Sequence, residues 1–259
     1  MRQDTALWID DALQRRLGLP YLRLTRDALI HQRSRYLAAF LRDRRQGDRA
    51  RPRLLDAGCG SGIALRYVDG LVSRYVGFDR HTARLQRRYR DLRTPHEFHD
   101  IDFDRDWRLP AADVAWCAEV LEHLQDDAGA LRKLAEHVAP GGYVLLTMPS
   151  LPFVERHRGH VPALAHLSAT QDGGHVRSGY DRAAIHALAA RSGLTVERID
   201  AISRFSPTAI ERHYRERPWR PLLRAWYALR ARAPYTLHAT DEELRAHHSI
   251  AAVLRRNAP

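Results

Sequence analysis

One segment constrains this chain more than any other: Leu54-Leu55-Asp56-Ala57-Gly58-Cys59-Gly60-Ser61-Gly62. A short apolar run passes without a break into three alternate glycines, and the residues beyond them read as the start of a helix. Glycine accepts φ above zero and lets the backbone come close to a ligand, while the first turn of a helix presents N–H groups with no partner of their own. A strand, glycine turn and helix in succession form a ligand-binding corner of an α/β sheet. Dinucleotide enzymes use a similar device, so the glycines alone leave the ligand open. Asp56, two positions before the first glycine, narrows the choice.

The rest of the chain agrees with such a sheet. Strand-like runs at Arg53–Ala57, Tyr75–Asp79, Glu97–Ile101, Val114–Ala118 and Tyr143–Met148 alternate with helical stretches. In the helical stretch Ala130–Val138, Leu131, Leu134, Ala135 and Val138 share one face, and Pro140-Gly141-Gly142 ends it. Alternation of this kind implies parallel strands with helices on both faces, a Rossmann-like α/β fold. Residues 1–50 read as an Arg-rich helical cap, with Tyr36, Leu37, Phe40 and Leu41 at helical spacing, and residues 51–259 as the main domain. Ser150–Gly179 is rich in Pro, Gly and His and predicts a long loop with a short helix, the kind of insertion that walls a site. Asp181–Ser192 predicts a helix, and Val196–Ile202 and Ser249–Leu254 predict two closing strands around a basic, helical insertion at 205–245.

Four further features order themselves along the chain in the same way. Tyr75-Val76-Gly77-Phe78-Asp79 ends a second strand in an acid, and Phe98-His99-Asp100-Ile101 ends a third. Ala112-Asp113-Val114-Ala115-Trp116-Cys117-Ala118 runs into Glu119-Val120-Leu121-Glu122-His123-Leu124, and Val138-Ala139-Pro140-Gly141-Gly142-Tyr143-Val144-Leu145-Leu146 leads into a fifth strand. Together with the glycine turn these resemble the class I S-adenosylmethionine-dependent methyltransferases, in the small-molecule branches of that superfamily, over about residues 51 to 203 plus the last strand. The resemblance implies a mainly parallel seven-stranded sheet and S-adenosylmethionine as cofactor. It implies a cofactor site of Asp56, Gly58, Cys59, Gly60, Asp79, Arg80, Asp100, Ile101, Ala118 and Glu119. Asp79 grips the ribose hydroxyls in that scheme, because a carboxylate accepts two hydrogen bonds from a cis-diol at once. Asp100 and Asp102 compete for the adenine edge, and spacing favours Asp100.

Catalysis is expected from Glu119, His123 and His175. The family's Asn- or Asp-Pro-Pro-Tyr motif for base or glutamine N-methylation is replaced here by Cys117-Ala118-Glu119-Val120, which argues against those acceptors. On a helix, Glu119, Glu122 and His123 would fall at i, i+3 and i+4 and converge. In ubiquinone-pathway O-methyltransferases and small-RNA terminal 2′-O-methyltransferases that share this wording, such residues hold a divalent ion, and in the small-RNA enzymes a later histidine completes the site, which His175 of Gly174-His175-Val176-Arg177 would match. The same wording recurs in metal-free small-molecule enzymes. The expectation is therefore no resident metal and a general base at His123 or His175, with Glu119, Glu122, His123 and His175 as the alternative metal set. Cys59 and Cys117 are read as small buried fillers without a disulfide.

Composition limits the partners. With 259 residues, 44% of them apolar, and 2 cysteines, the chain is neither a disordered polymer nor a disulfide scaffold. It has no apolar run long enough for a membrane span. Met1-Arg2-Gln3-Asp4 opens no leader-like apolar stretch, so a cytoplasmic setting is expected. Lys133 is the lone lysine among 42 cations, which outweigh 31 acids to leave +11. That surplus keeps nucleic acid, an anionic membrane and an acidic substrate in view. No appended RNA-binding module supports RNA methylation, which stays the rival to a small-molecule acceptor, alongside a cofactor-binding scaffold without turnover. Pro218–Arg230 places Trp219, Leu222, Leu223, Trp226 and Leu229 on one helical face among arginines, and reads as a packed helix, a lid or a peripheral membrane contact. The expected reaction is methyl transfer to a hydroxyl of a small molecule. Neither the acceptor's identity nor the oligomeric state is legible in these residues.

Overall fold

The computed structural model describes residues 28–44, 50–103, 105–159, 175–203 and 235–257. Pro218–Arg230, most of the 205–245 insertion and residues 1–27 of the cap lie outside the described residues. Leu54, Leu55, Asp56 and Ala57 are all buried in β1 (Arg53–Ala57). A strand with so few polar residues must be covered on both faces and both edges, and it lies inside the sheet. The sheet has seven strands in the order β3-β2-β1-β4-β5-β7-β6. These are β2 (Arg74–Asp79), β3 (His96–Asp100), β4 (Ala112–Ala118), β5 (Val138–Pro149), β6 (Leu194–Ile202) and β7 (Ser249–Arg256). The first five strands are parallel, and β7 runs antiparallel between β5 and β6. Among the described residues no helix is long and apolar enough to cross a membrane.

Side-chain alternation divides the core into two layers. Leu55, Phe78, Ala115, Cys117 and Leu146 face α4 (Asp127–Glu136) and α6 (Arg182–Arg191), where Leu131, Leu134, Ile185 and Leu188 complete the layer. Leu54, Tyr75, Val114, Trp116, Leu145 and Val253 face the other way, with α2 (Ile63–Val68), α3 (Leu85–Tyr89) and α1 (Ala28–Asp43). Tyr36, Leu37, Phe40 and Leu41 of α1 lie in this second layer, so the helical spacing in the amino-terminal region packs directly on the sheet. The helix expected at Ala130–Val138 is shifted to Asp127–Glu136, because Asp126 accepts the Gly129 N–H and caps it earlier. Pro140-Gly141-Gly142 lies within β5, opposite a register shift between Ala112 and Val114, with Gly141 at φ 75°. A bulge of this kind accommodates a proline that cannot donate to the ladder. In the expected loop, α5 (Leu151–His157) starts at Ser150, whose hydroxyl accepts from Phe153 N.

α1 is held to the far edge of the sheet by a buried polar contact. Tyr36 donates its hydroxyl to Asp200 Oδ2 at 2.5 Å, and that fully buried carboxylate also accepts from Arg198 Nε at 2.7 Å and His238 N at 2.8 Å. Tyr36→Phe removes one charge-assisted bond and is expected to cost about 1.5–3 kcal/mol. Urea denaturation measures it; an unchanged midpoint would show that the contact does not hold α1 in place.

Candidate active site

The carboxyl ends of β1, β2 and β4 open on one cavity of about 440 Å³. At its floor the glycine turn is pinned by Gly58 N and Cys59 N, which both donate to Phe78 O at 2.9 Å. Gly58 has φ 72°, and a Cβ there would stand 2.4 Å from Val120 Cγ2, so the position admits glycine alone. Asp79, at the end of β2, accepts from Gly60 N at 3.0 Å and from Arg80 N at 2.7 Å. Its carboxylate thus sets the turn and lines the cavity. Arg80, Ile101, Asp102 and Phe103 continue the wall on one side, and Ala118, Glu119, Val120 and His123 on the other.

Asp56 is buried beneath the turn and accepts a hydrogen bond from Tyr75. Burial pushes its carboxyl up to about 7, against the pull of Tyr75 and with a further push from the charge of Asp79. Cys59 and Cys117 are both free and buried, and burial drives both thiols far above their ordinary range, as suits fillers rather than nucleophiles. Asp100 lies off the cavity: Thr82 donates to its Oδ1 through Oγ1 at 2.8 Å and through its N–H, holding the exposed carboxyl below its usual range. Asp102 lines the cavity in its place. The spacing that favoured Asp100 counts to the end of β3 but does not register that the β2–α3 connection reaches across to that carboxylate.

The Glu119–His123 segment also departs from the expected helix. Glu119 sits at φ 55° and donates its N–H to Thr147 O at 2.8 Å, and only Leu121–His123 form a single 3₁₀ turn. Glu119 stands outside the group that Glu122 joins, although its charge still acts on Glu122. Glu119 meets Arg33 of α1 at 3.0 Å, and Arg33 also donates to Ser249 Oγ at 3.2 Å. Glu122, His123 and His175 do come together, each with one ligand atom within 4.8 Å of the others, and the two imidazole rings are perpendicular with centroids 4.3 Å apart. Glu122 is fully buried, and among the described residues neither of its carboxylate oxygens has a hydrogen-bond partner. Burial, and then the charge of Glu119, raise its carboxyl well above the usual range. Arg33 and Ile30 line the cavity too, and nothing in the residues near the glycine turn points to them. The signal available was an arginine, Arg33, three residues before Tyr36 in the apolar stripe of α1.

A family model described as a methyltransferase domain matches residues 29–199, which take in α1, the glycine turn and the strands through most of β6. The chain belongs to the class I S-adenosylmethionine-dependent methyltransferases. Among curated relatives, this methyltransferase is 32% identical over 107 residues to the ubiquinone biosynthesis O-methyltransferase of Alkalilimnicola ehrlichii, and 33% identical over 102 residues to that of Burkholderia ambifaria. Each alignment takes in 37% of this chain, which spans 40% and 43% of the two relatives' length. Solved structures share the fold at lower identity. The N-methyltransferase NodS of Bradyrhizobium japonicum in complex with S-adenosyl-L-homocysteine aligns with a TM-score of 0.52 at 16% identity, over 95% of this chain and 97% of that one. The methyltransferase domain of bacterial CtHen1-C aligns with a TM-score of 0.56 at 19% identity, over 89% and 100%.

Proposed function

We propose that this methyltransferase moves a methyl group from S-adenosylmethionine to a hydroxyl of a small-molecule acceptor. The observation that carries the reading is the single cavity: the glycine turn and Asp79 lie on one side, and Glu119 and His123 on the other. In this reading Asp79 takes the ribose hydroxyls, Ile101, Asp102 and Phe103 surround the adenine, and the side-chain-free backbone of the glycine turn lets the methionine part lie close against it. Arg33 is the cavity's cation on α1 and suits the methionine carboxylate. Methyl transfer from a sulfonium is an in-line displacement, so the protein's work is alignment and removal of the acceptor's proton. Hydroxyl as the acceptor group is supported by the O-methyltransferases among the relatives. The proposed acceptor side draws on residues 1–45, 150–180 and 205–240, of which 1–27, 160–174 and 205–234 lie outside the described residues, within a cap of 1–50 and a methyltransferase domain of 51–259.

The cluster beside the cavity supplies the proton chemistry. A buried carboxylate with two unpartnered oxygens either keeps its proton or takes a cation. A carboxylate with two imidazoles suits a divalent transition ion, so Glu122, His123 and His175 would hold one. Such an ion, when bound, lowers the pKa of a hydroxyl. Without it, His123, on the cavity wall, is the base in reach of the acceptor. In both cases Glu119 stands as the counter-charge of Arg33 rather than as the acceptor's base.

Methyl-labelled S-adenosylmethionine, the purified chain and an extract of the source organism test this reading together. Label is expected in the small-molecule fraction, to fall at least tenfold with EDTA and to return with Mn²⁺, while cofactor binding is unchanged. Turnover indifferent to EDTA assigns the proton to His123 alone. Label in RNA would overturn the acceptor class, and cofactor binding with no label in any fraction would favour the scaffold.

A further inference from the structure

Arg177 donates to three backbone carbonyls of the segment that follows Glu119. The chain after Glu119 forms only one 3₁₀ turn, which leaves the carbonyls around Leu121–Gln125 without the partners a continuing α-helix would provide. A single side chain from a distant segment answers them. Arg177 Nη1 donates to Leu121 O at 2.5 Å and Leu124 O at 2.8 Å, and Nη2 donates to Gln125 O at 3.3 Å. Nη1 also reaches Tyr180 Oη at 3.2 Å and faces Asp127 at 3.5 Å, while Tyr180 in turn donates to Asp127 at 3.0 Å. The planar fork of a guanidinium can serve several oxygens in fixed directions; an ammonium at the same place is a point charge with a shorter reach.

One residue earlier, Val176 N donates to Glu122 O at 2.8 Å. The segment carrying His175 is therefore tied to the turn carrying Glu122 and His123 at two successive residues. Those ties set its register, and the register is what brings the His175 ring against His123.

We propose that Arg177 is a positioning residue for methyl transfer: it clamps the 175–177 segment to the Leu121–Gln125 turn and so assembles the Glu122–His123–His175 group. The proposal rests on that group being the one that prepares the acceptor. Outer partners that orient a ligand set change affinity or activity by about 10–100-fold when removed. Arg177 itself lines neither the cavity nor the glycine turn, and of the three carbonyls it binds only that of Leu124 belongs to a cavity residue, so cofactor affinity is expected to change little.

The test uses the full chain with S-adenosylhomocysteine bound, comparing wild type, Arg177→Lys and Arg177→Gln, with Arg156→Lys as an exposed arginine control. Co²⁺ binding is read by its visible absorption, and the geometry directly by the nuclear Overhauser contact between the His123 and His175 rings and by amide exchange at Val176. Arg177→Lys is expected to weaken Co²⁺ by about 10–100-fold. It is also expected to remove the ring contact and to speed exchange at Val176 relative to core amides such as Leu145, with S-adenosylhomocysteine affinity within twofold of wild type. If wild type takes up no Co²⁺, the metal form of the proposed function fails. The clamp is then decided by the ring contact and Val176 exchange, which need no ion. Wild-type ring contact and Val176 exchange in both Arg177 variants would overturn the proposal, as would a loss spread evenly over cofactor binding and all core amides.

Discussion

Asp79→Ala is expected to weaken S-adenosylmethionine binding by about 100- to 1000-fold, the equivalent of about 3–4 kcal/mol. Two effects combine. In the proposed function the carboxylate accepts two bonds from the ribose, each charge-assisted. The same oxygens hold Gly60 N and Arg80 N, so the glycine turn loses a brace even before the cofactor arrives. Asp79→Asn separates the effects, since an amide oxygen can still accept from Gly60 N but carries no charge. Isothermal titration of the three proteins should give an intermediate loss for Asn. A change of less than fivefold in the alanine variant would mean that the ribose does not lie on β2.

That prediction leans on a residue that was readable from the sequence alone, and the reason is local. Asp79 follows directly from an apolar strand, and the chain needs no distant contact to aim it, because β2 pairs with β1 in register through Ala57 and Phe78. The strands were legible for the same reason: β1 is observed at its expected bounds, and β2, β3, β4 and β7 differ by one or two residues at their ends. What escaped the sequence depends on residues far apart in it. Arg33 reaches Glu119 across 86 positions, and the left-handed Glu119 is a backbone state that no helical periodicity announces. On a continuous helix Glu119 would join Glu122 and His123; with the left-handed residue Glu119 pairs with Arg33 of α1, and the group at Glu122 and His123 includes His175 instead. Asp100 and Asp102 likewise cannot be told apart until Thr82 is seen holding one of them.

The contribution of Asp56 to the stability of this methyltransferase should fall as pH rises from about 4 to 7. In the unfolded chain its carboxyl titrates near the ordinary value of about 3.9, whereas in the folded chain burial holds it at about 7. Below both values each state is protonated and nothing is lost. Between them the unfolded chain releases a proton that the folded chain keeps, so stability drops, and above about 7 the loss is complete. A shift of about 3 units corresponds to about 4 kcal/mol. Asp56→Asn cannot ionise, and its amide oxygen can still accept the bond from Tyr75. Denaturation of both proteins in urea at pH 4.5 and pH 8 gives a double difference in which Glu122, raised by its own burial in both proteins, cancels. The variant is expected to gain about 3 kcal/mol on wild type between the two pH values, the rest of the loss lying below pH 4.5 where the unfolded carboxyl already ionises. An unchanged difference would mean that Asp56 is ionised in the folded chain at pH 4.5. The glycine turn would then rest on a buried charge bound by Tyr75, rather than on a neutral acid.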